Sequence, residues 1–351
     1  MSAAAPDGEL IVRRERRAGR ITLNRPRALN MLSEGMLAGI ALALQDWRAD
    51  PAVDLVVLDA VGGRAFCAGG DIAAVHGRMV QGDVDGARGH CLAEYHLDLA
   101  LTRYPKPVVA LIDGTAMGGG LGLALHANHP VASERASFAM PECGIGWIPD
   151  SGASHLLSRL PAPLAAFIAL TGERIGADAA AALGLLRHRV AAQQMPELAR
   201  ALSEQGIAAL PAPVPAASAP PRLPEFSEEL EHGFAGPDVP QILARLEAGG
   251  EPCARAARSL LKASPLALAL TLEVLARARR QGSLEAALGL EYAVVSQLLI
   301  HPDFAEGIRA AMIDRDRRPA WRLAHTHRFA DAELAPFLPA FGTLLPALSG
   351  P

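Results

Sequence analysis

Apolar positions in the first half of the chain switch between a strand period and a helix period. Leu10 to Arg17 and Arg20 to Asn24 alternate around Ala18-Gly19, the pattern of two short strands joined by a tight turn. From Ser33 to Arg48 the apolar residues Met36, Leu37, Ile40, Leu44 and Trp47 recur at helical spacing, with Ser33 placed to cap the helix. Val53 to Leu58 and Val108 to Ile112 are short β-branched runs without alternation, as expected of strands covered on both faces in a parallel sheet. Strand-then-helix order of this kind predicts an α/β fold with right-handed crossovers. The second half reads helical: Ser264-Pro265 opens a segment ending near Gly282, Ser283 opens another to Ile300, and Asp303 opens a third to Ile313. Asp303 and Glu306 have the spacing of a capping box. Leu210 to Pro224 separates the halves, with six prolines and four alanines in fifteen residues. The pattern predicts a core over 10–190, a Pro/Ala-rich linker and helical connection over 191–260, and an α-helical C-terminal region over 261–345. No repeat is visible in the sequence.

Composition narrows the function classes. A net charge of −4 and an aromatic content of 4% give neither the basic surface nor the stacking platforms that nucleic acid requires. The apolar runs are too short to span a bilayer, and the first nine residues lack a signal-peptide core. Arg13 to Arg20 interleave with Ile11 and Val12, which predicts a solvated hairpin face. Cys67, Cys91, Cys143 and Cys253 form no C-x-x-C pair and no zinc spacing, so neither a disulfide framework nor a metal is expected, and a reducing cytoplasm fits best. His126 and His129 lack a carboxylate partner for a metal.

Candidate chemistry concentrates between Ala116 and Asp150. Ala116-Met-Gly-Gly-Gly-Leu-Gly122 lets backbone N–H groups approach a ligand where a Cβ would obstruct them, and the run beyond it reads as a helix start. Twenty positions after Gly122 stands Glu142, and eight further on stands Asp150, both in a Gly/Pro-punctuated apolar segment. Phe66-Cys-Ala-Gly-Gly-Asp71 offers a second exposed N–H at Gly70, with Asp71 free to cap the following helix. Two such loops after neighbouring strands can aim two donors at one developing oxyanion. The spacings of a dinucleotide fingerprint, a P-loop and a nucleophile elbow are absent.

These two loops, with Asn24-Arg-Pro-x-x-Leu-Asn30 upstream, resemble the enoyl-coenzyme A hydratase/isomerase (crotonase) superfamily over about residues 10–190. The resemblance implies a spiral of stacked ββα units that binds acyl-coenzyme A thioesters. Gly70 and Gly119 then supply the oxyanion hole, Ala68, Asp71 and Gly118 lie beside the substrate, and coenzyme A enters as part of the substrate with no separate cofactor. Arg25 and Arg27 are placed either to meet the coenzyme A phosphates or to face solvent.

Within the superfamily, hydratases carry a glutamate where this chain has Gly122, which disfavours water addition to an alkene. Met140-Pro-Glu142 and Ile148-Pro-Asp150, together with Asp303-Phe-x-Glu-Gly-Ile-Arg-Ala310, Ile313-Asp-Arg-Asp316 and Pro319-x-Trp321, look like the branch that hydrolyses 3-hydroxyisobutyryl-coenzyme A in valine catabolism. That resemblance implies Glu142 as nucleophile or general base, with Asp150 assisting. The chain departs from the branch at Ser151-Gly-Ala-Ser154, where a Gly-Gly pair is usual, and at Cys143, where threonine is common. Cys143 reads as a packing residue, and the tail motif reads as structure more than catalysis. The competing readings are an enoyl-coenzyme A isomerase or hydratase and a non-catalytic binding or scaffold protein. A homo-oligomer stays open.

Overall fold

The computed structural model describes residues 8–215, 223, 225–340 and 343–347, so part of the Pro/Ala segment, 216–222 and 224, lies outside the described residues. By its internal contacts the chain divides into two units, one drawn from 1–71, 93–139 and 174–221, the other from 72–92, 140–173 and 222–351.

Among the described residues, the first unit holds ten strands: β1 Leu10–Glu15, β2 Ala18–Leu23, β3 Leu55–Ala60, β4 Ala65–Cys67, β5 Val108–Ile112, β6 Thr115–Met117, β7 His129–Ala132, β8 Ser137–Ala139, β9 Ile175–Gly176 and β10 His188–Arg189. They form a six-stranded sheet in the order β1-β2-β3-β5-β7-β10 and a four-stranded sheet in the order β4-β6-β8-β9. Only the edge pairs β1/β2 and β8/β9 are antiparallel. Each consecutive pair β3/β4, β5/β6 and β7/β8 gives one strand to each sheet, so the chain advances as a two-layered spiral of the expected ββα kind. The repeat that the sequence does not display is thus present in the topology. It is carried by backbone pairing, which leaves side-chain identity free to drift from turn to turn.

The central strands β3 and β5 of the large sheet are buried along most of their length, which is why they read as continuous apolar runs. Against one set of its residues, Ala18, Leu55, Val57, Val109, Leu111 and Val131, the helix Met195–Gln205 packs Met195, Leu198, Ala199 and Leu202. Residues at the start of the expected linker are therefore part of this unit's core. The helix Glu34–Arg48 is capped as expected by Ser33, whose hydroxyl accepts the Met36 N–H at 3.2 Å.

The first hairpin differs from expectation. Its turn falls at Arg16-Arg17, with Arg16 left-handed at φ 53°, and Ala18-Gly19 already belong to β2. Gly19 is there for space: a Cβ on it would lie 2.3 Å from the Trp47 ring. β3 also begins two residues later than the apolar run suggests.

The second unit is helical. It contains Ala162–Thr171, Glu228–Phe234, Val239–Glu247, Glu251–Leu260, Pro265–Gln281, Leu284–Leu298 and Pro302–Ile308, the last continuing as a π-helical turn over Arg309–Ile313. Ser264 and Ser283 cap their helices through hydrogen bonds to Ala267 N–H and Ala286 N–H. The Asp303–Glu306 capping box does not form. His301 is the N-cap, because the Asp303 carboxylate is committed to the Ser264 hydroxyl at 2.6 Å and Arg322 N–H at 3.1 Å, while Glu306 pairs with Arg309.

Gly19→Ala is expected to lower stability by about 1–3 kcal/mol, the cost of overpacking a filled site. The urea midpoint measures it, and an unchanged midpoint would show that Trp47 yields freely.

Candidate active site

In the first unit, the loop bearing Gly70 is held from below by the Arg25–Asn30 turn. Asn30, fully buried and left-handed at φ 57°, accepts Arg25 N–H on Oδ1 at 2.9 Å and donates Nδ2 to the carbonyls of Val61 and Ala65, each at 3.0 Å. That side chain does the work of a missing strand. Leu29 O then accepts Ala68 N–H, and Leu32 bridges the loop by donating to Gly69 O and accepting Asp71 N–H. None of these bonds uses Gly70 N–H.

The glycine triplet answers it. Gly118, at φ 50° and ψ −132°, is the N-cap of helix Gly119–Leu125, so Gly119 is its first residue and its N–H has no acceptor within the helix. The two loops touch main chain to main chain: a Cβ on Gly69 would lie 3.1 Å from Met117 O and 3.7 Å from Gly119 N. A Cβ on Gly120 would lie 2.2 Å from Cys67 O. Gly70 and Gly119 are thus brought into neighbouring turns of one unit, with Ala68, Asp71 and Gly118 beside them.

Arg25 is engaged internally. Its guanidinium binds Asp71 through both terminal nitrogens at 3.1 Å, Glu9 through Nε at 2.8 Å and Met31 O at 2.8 Å, so its geometry serves the loop. Arg27 is exposed.

A third carboxylate escaped the sequence reading. Glu94, only 7% exposed, projects from helix Val84–Thr102 so that a Cβ on Gly119 would fall 1.7 Å from its Oε1. The signal was present: Cys91, Glu94, Tyr95 and Asp98 are all buried at i, i+3, i+4 and i+7, which puts two acids on an apolar stripe.

In the second unit, Glu142 opens a 3-10 turn over Glu142–Ile145, and Asp150 lies in the irregular segment that follows it. Both are 8% exposed. Asp150 Oδ2 accepts the Trp147 indole N–H at 2.8 Å, and Trp147 lies 4.9 Å from the Phe304 ring, centroid to centroid. The tail motif is pressed directly onto this turn: Cβ atoms on Gly146 and Gly307 would come within 2.5 Å of Asp303 O and 2.3 Å of Ile145 O. Ser264 N–H donates to Cys143 O at 2.9 Å, while the Ser264 hydroxyl holds Asp303. Arg309 gathers Glu306, Asp314, Asp316 and Arg318 O into one partly exposed network that closes the tail. The tail residues thus act as structure, as expected. Cys143 is buried between Ala169 O and the Thr271 hydroxyl, and burial pushes its thiol up to about 12, in keeping with a packing role.

The segment after Asp150 is held by another residue that sequence reasoning missed. Glu291, fully buried on helix Leu284–Leu298, accepts Gly152 N–H on Oε2 at 2.8 Å and Ser154 N–H on Oε1 at 3.0 Å, and it also bonds the Ser154 hydroxyl. It is the one acid on the buried stripe Ala287, Leu288, Glu291, Val294, Val295 and Leu298.

The whole chain finds its relatives. The enoyl-CoA hydratase/isomerase family model matches residues 18–338. Curated proteins named 3-hydroxyisobutyryl-CoA hydrolase, mitochondrial, are 37% identical in Xenopus tropicalis, covering 90% of this chain and 84% of that protein, and 35% identical in Rattus norvegicus, covering 98% and 92%. Among solved structures, one described as an enoyl-CoA hydratase from Rhodobacter sphaeroides is 42% identical with a TM-score of 0.89, covering 97% of this chain and 100% of that one. Another, described as a carnitinyl-CoA dehydratase from Mycobacterium thermoresistibile, is 35% identical with a TM-score of 0.88 over 98% of this chain and 100% of that one. The chain belongs to the enoyl-CoA hydratase/isomerase family. The expected cytoplasmic location draws no support from the curated relatives, which are named as mitochondrial.

Burial raises the Glu291 carboxyl from 4.5 to about 8, and the charge of Asp150 adds to the rise, while the bonds from Ser154 and Gly152 pull against it. Between those two values the folded chain holds a proton that the unfolded chain has lost, so this group makes stability fall as pH rises. Glu291→Gln removes the group. The stability of the native protein relative to this variant is expected to decline across that window, measured by urea unfolding; a flat difference instead would mean that the buried carboxyl is ionised throughout.

Proposed function

We propose that this protein hydrolyses a short-chain 3-hydroxyacyl-coenzyme A thioester, with 3-hydroxyisobutyryl-coenzyme A, cleaved to 3-hydroxyisobutyrate and coenzyme A, as its substrate. What carries the proposal is the seating of the tail motif, the part that separates the hydrolase branch from ordinary hydratases, on the turn that bears Glu142 and Asp150. Gly122, where a hydratase has its first glutamate, supports the same reading, as does the hydrolase name of the curated relatives. The structures described as a hydratase and a dehydratase favour the second reading, an enoyl-coenzyme A hydratase or isomerase.

In the proposed reaction, the Gly70 and Gly119 N–H groups take the thioester oxygen as it gains charge. Each such donor contributes about 2.7–4 kcal/mol of transition-state stabilisation. Glu142 either attacks the carbonyl carbon, forming a mixed anhydride that water then opens, or takes a proton from attacking water. Coenzyme A thiolate leaves and is protonated. Asp150, oriented by Trp147, holds the 3-hydroxyl of the acyl group or relays a proton. Coenzyme A arrives with the substrate, and the exposed Arg27 is suited to its phosphates. Ser151 to Ser154 and Cys143, which depart from the branch, are the positions where a different short acyl group would be selected.

Free thiol is expected from 3-hydroxyisobutyryl- and 3-hydroxypropionyl-coenzyme A, and Glu142→Gln is expected to lower its rate by roughly 10²–10⁴-fold. Loss of crotonyl-coenzyme A absorbance without thiol release would overturn the hydrolase reading in favour of hydration. Rapid acid quench separates the two routes: an acyl adduct on the Glu142 peptide marks the anhydride. In the same assay, Gly119→Ala, which drives a methyl into Glu94, is expected to cost about 10²–10³-fold in kcat, comparable to losing one oxyanion donor.

A further inference from the structure

The turn after Asp150 is built against its own preference. Ser151 is left-handed at φ 53° and Gly152 at φ 76°, and only then does the short helix Ala153–Leu157 begin. A serine in that conformation is strained and persists only where its surroundings over-determine it. One buried carboxyl group is prominent among those surroundings. Glu291 reaches from helix Leu284–Leu298 and takes the N–H groups on either side of Ala153, one on each oxygen, with the Ser154 hydroxyl as a third contact. The forked acceptor fixes both the position and the rotation of the peptide planes at 152 and 154. Asp150 is two residues upstream, and Asp150 O in turn accepts Ala153 N–H at 3.0 Å. The backbone that carries Asp150 is therefore closed into a ring whose fastening is Glu291.

We infer that Glu291 is a positioning residue that holds Asp150 for reaction through the 151–154 turn, and that the Ser154 hydroxyl completes its grip. The inference deepens the proposed hydrolase reading and rests on it for the role of Asp150. Replacement by glutamine disrupts the fork: the two N–H groups sit on separate oxygens, and the amide puts an NH2 donor in place of one of them. Such a change acts on the geometry of Asp150 and leaves the binding of coenzyme A alone.

The test is a double-mutant cycle in thiol release from 3-hydroxyisobutyryl-coenzyme A. Glu291→Gln is expected to lower kcat about tenfold with KM within about twofold, and Ser154→Ala, which keeps both backbone bonds, to lower it by about two- to threefold. Because Glu291 acts through Asp150, the double variant Glu291→Gln/Asp150→Asn is expected to be no slower than Asp150→Asn alone, within about twofold. Multiplied losses, or a Glu291→Gln enzyme with native kcat, would overturn the inference. Amide hydrogen exchange over 150–157 gives a readout independent of substrate: Glu291→Gln should exchange there faster than the native chain, with other segments unchanged. Absence of thiol release by the native enzyme would sink the hydrolase reading alone. Unchanged exchange would sink the positioning role alone. If Glu291→Gln fails to fold, Ser154→Ala carries both measurements, and native exchange and kcat in that variant would count against the grip on Ser154.

Discussion

Backbone meeting backbone with no side chain between is the constraint on which the candidate site depends. A β-carbon on Gly120 would lie 2.2 Å from Cys67 O, so the 118–122 turn can lie against the 67–70 loop only as glycine. That contact fixes where two N–H groups sit. It is repeated in kind in the helical unit, where Gly146 and Gly307 let main chain from the tail press against the turn of Glu142. Both halves of the proposed chemistry are therefore set by peptide planes, which relax far less than side chains do.

Held groups of this sort need polar fastening, and in each unit a buried polar side chain supplies it. Asn30 replaces strand pairing beneath the Gly70 loop. Glu291 does the same beneath the Asp150 turn, at the cost of a carboxyl buried in an apolar helix face. Buried polar groups are tolerated when every bond is made and are costly otherwise, so both are poor places for substitution even though neither lies in an obvious motif.

Much of this was legible in the sequence, and the limits are physical. The parallel strands, the Ser33, Ser264 and Ser283 caps and the glycine triplet show through because local sterics and hydrogen bonding decide them. The hairpin turn was misplaced because Gly19 looks like a turn residue, when its purpose is room for Trp47, a partner twenty-eight residues away. The Asp303 cap failed for the same reason: Ser264 and Arg322 compete for its carboxylate, and neither is local. Glu94, with Asp98 on the same buried stripe, and Glu291, alone on its own, were visible in the helical pattern, but only tertiary packing shows what Glu94 and Glu291 touch.

The seating of Gly146 and Ile145 against Asp303 and Gly307 also bears on how the chain is made. Glu142 and Asp150 leave the ribosome long before the tail that shapes their turn, about 160 residues later. Until Phe304 covers Trp147, part of the segment is an apolar surface without its cover, the sort of surface that chaperones engage and that slow, long-range closure leaves exposed. Competence for the proposed chemistry would come last in synthesis, and a nascent chain cut short of the tail would carry the whole glycine cradle of the first unit yet lack a formed carboxylate turn.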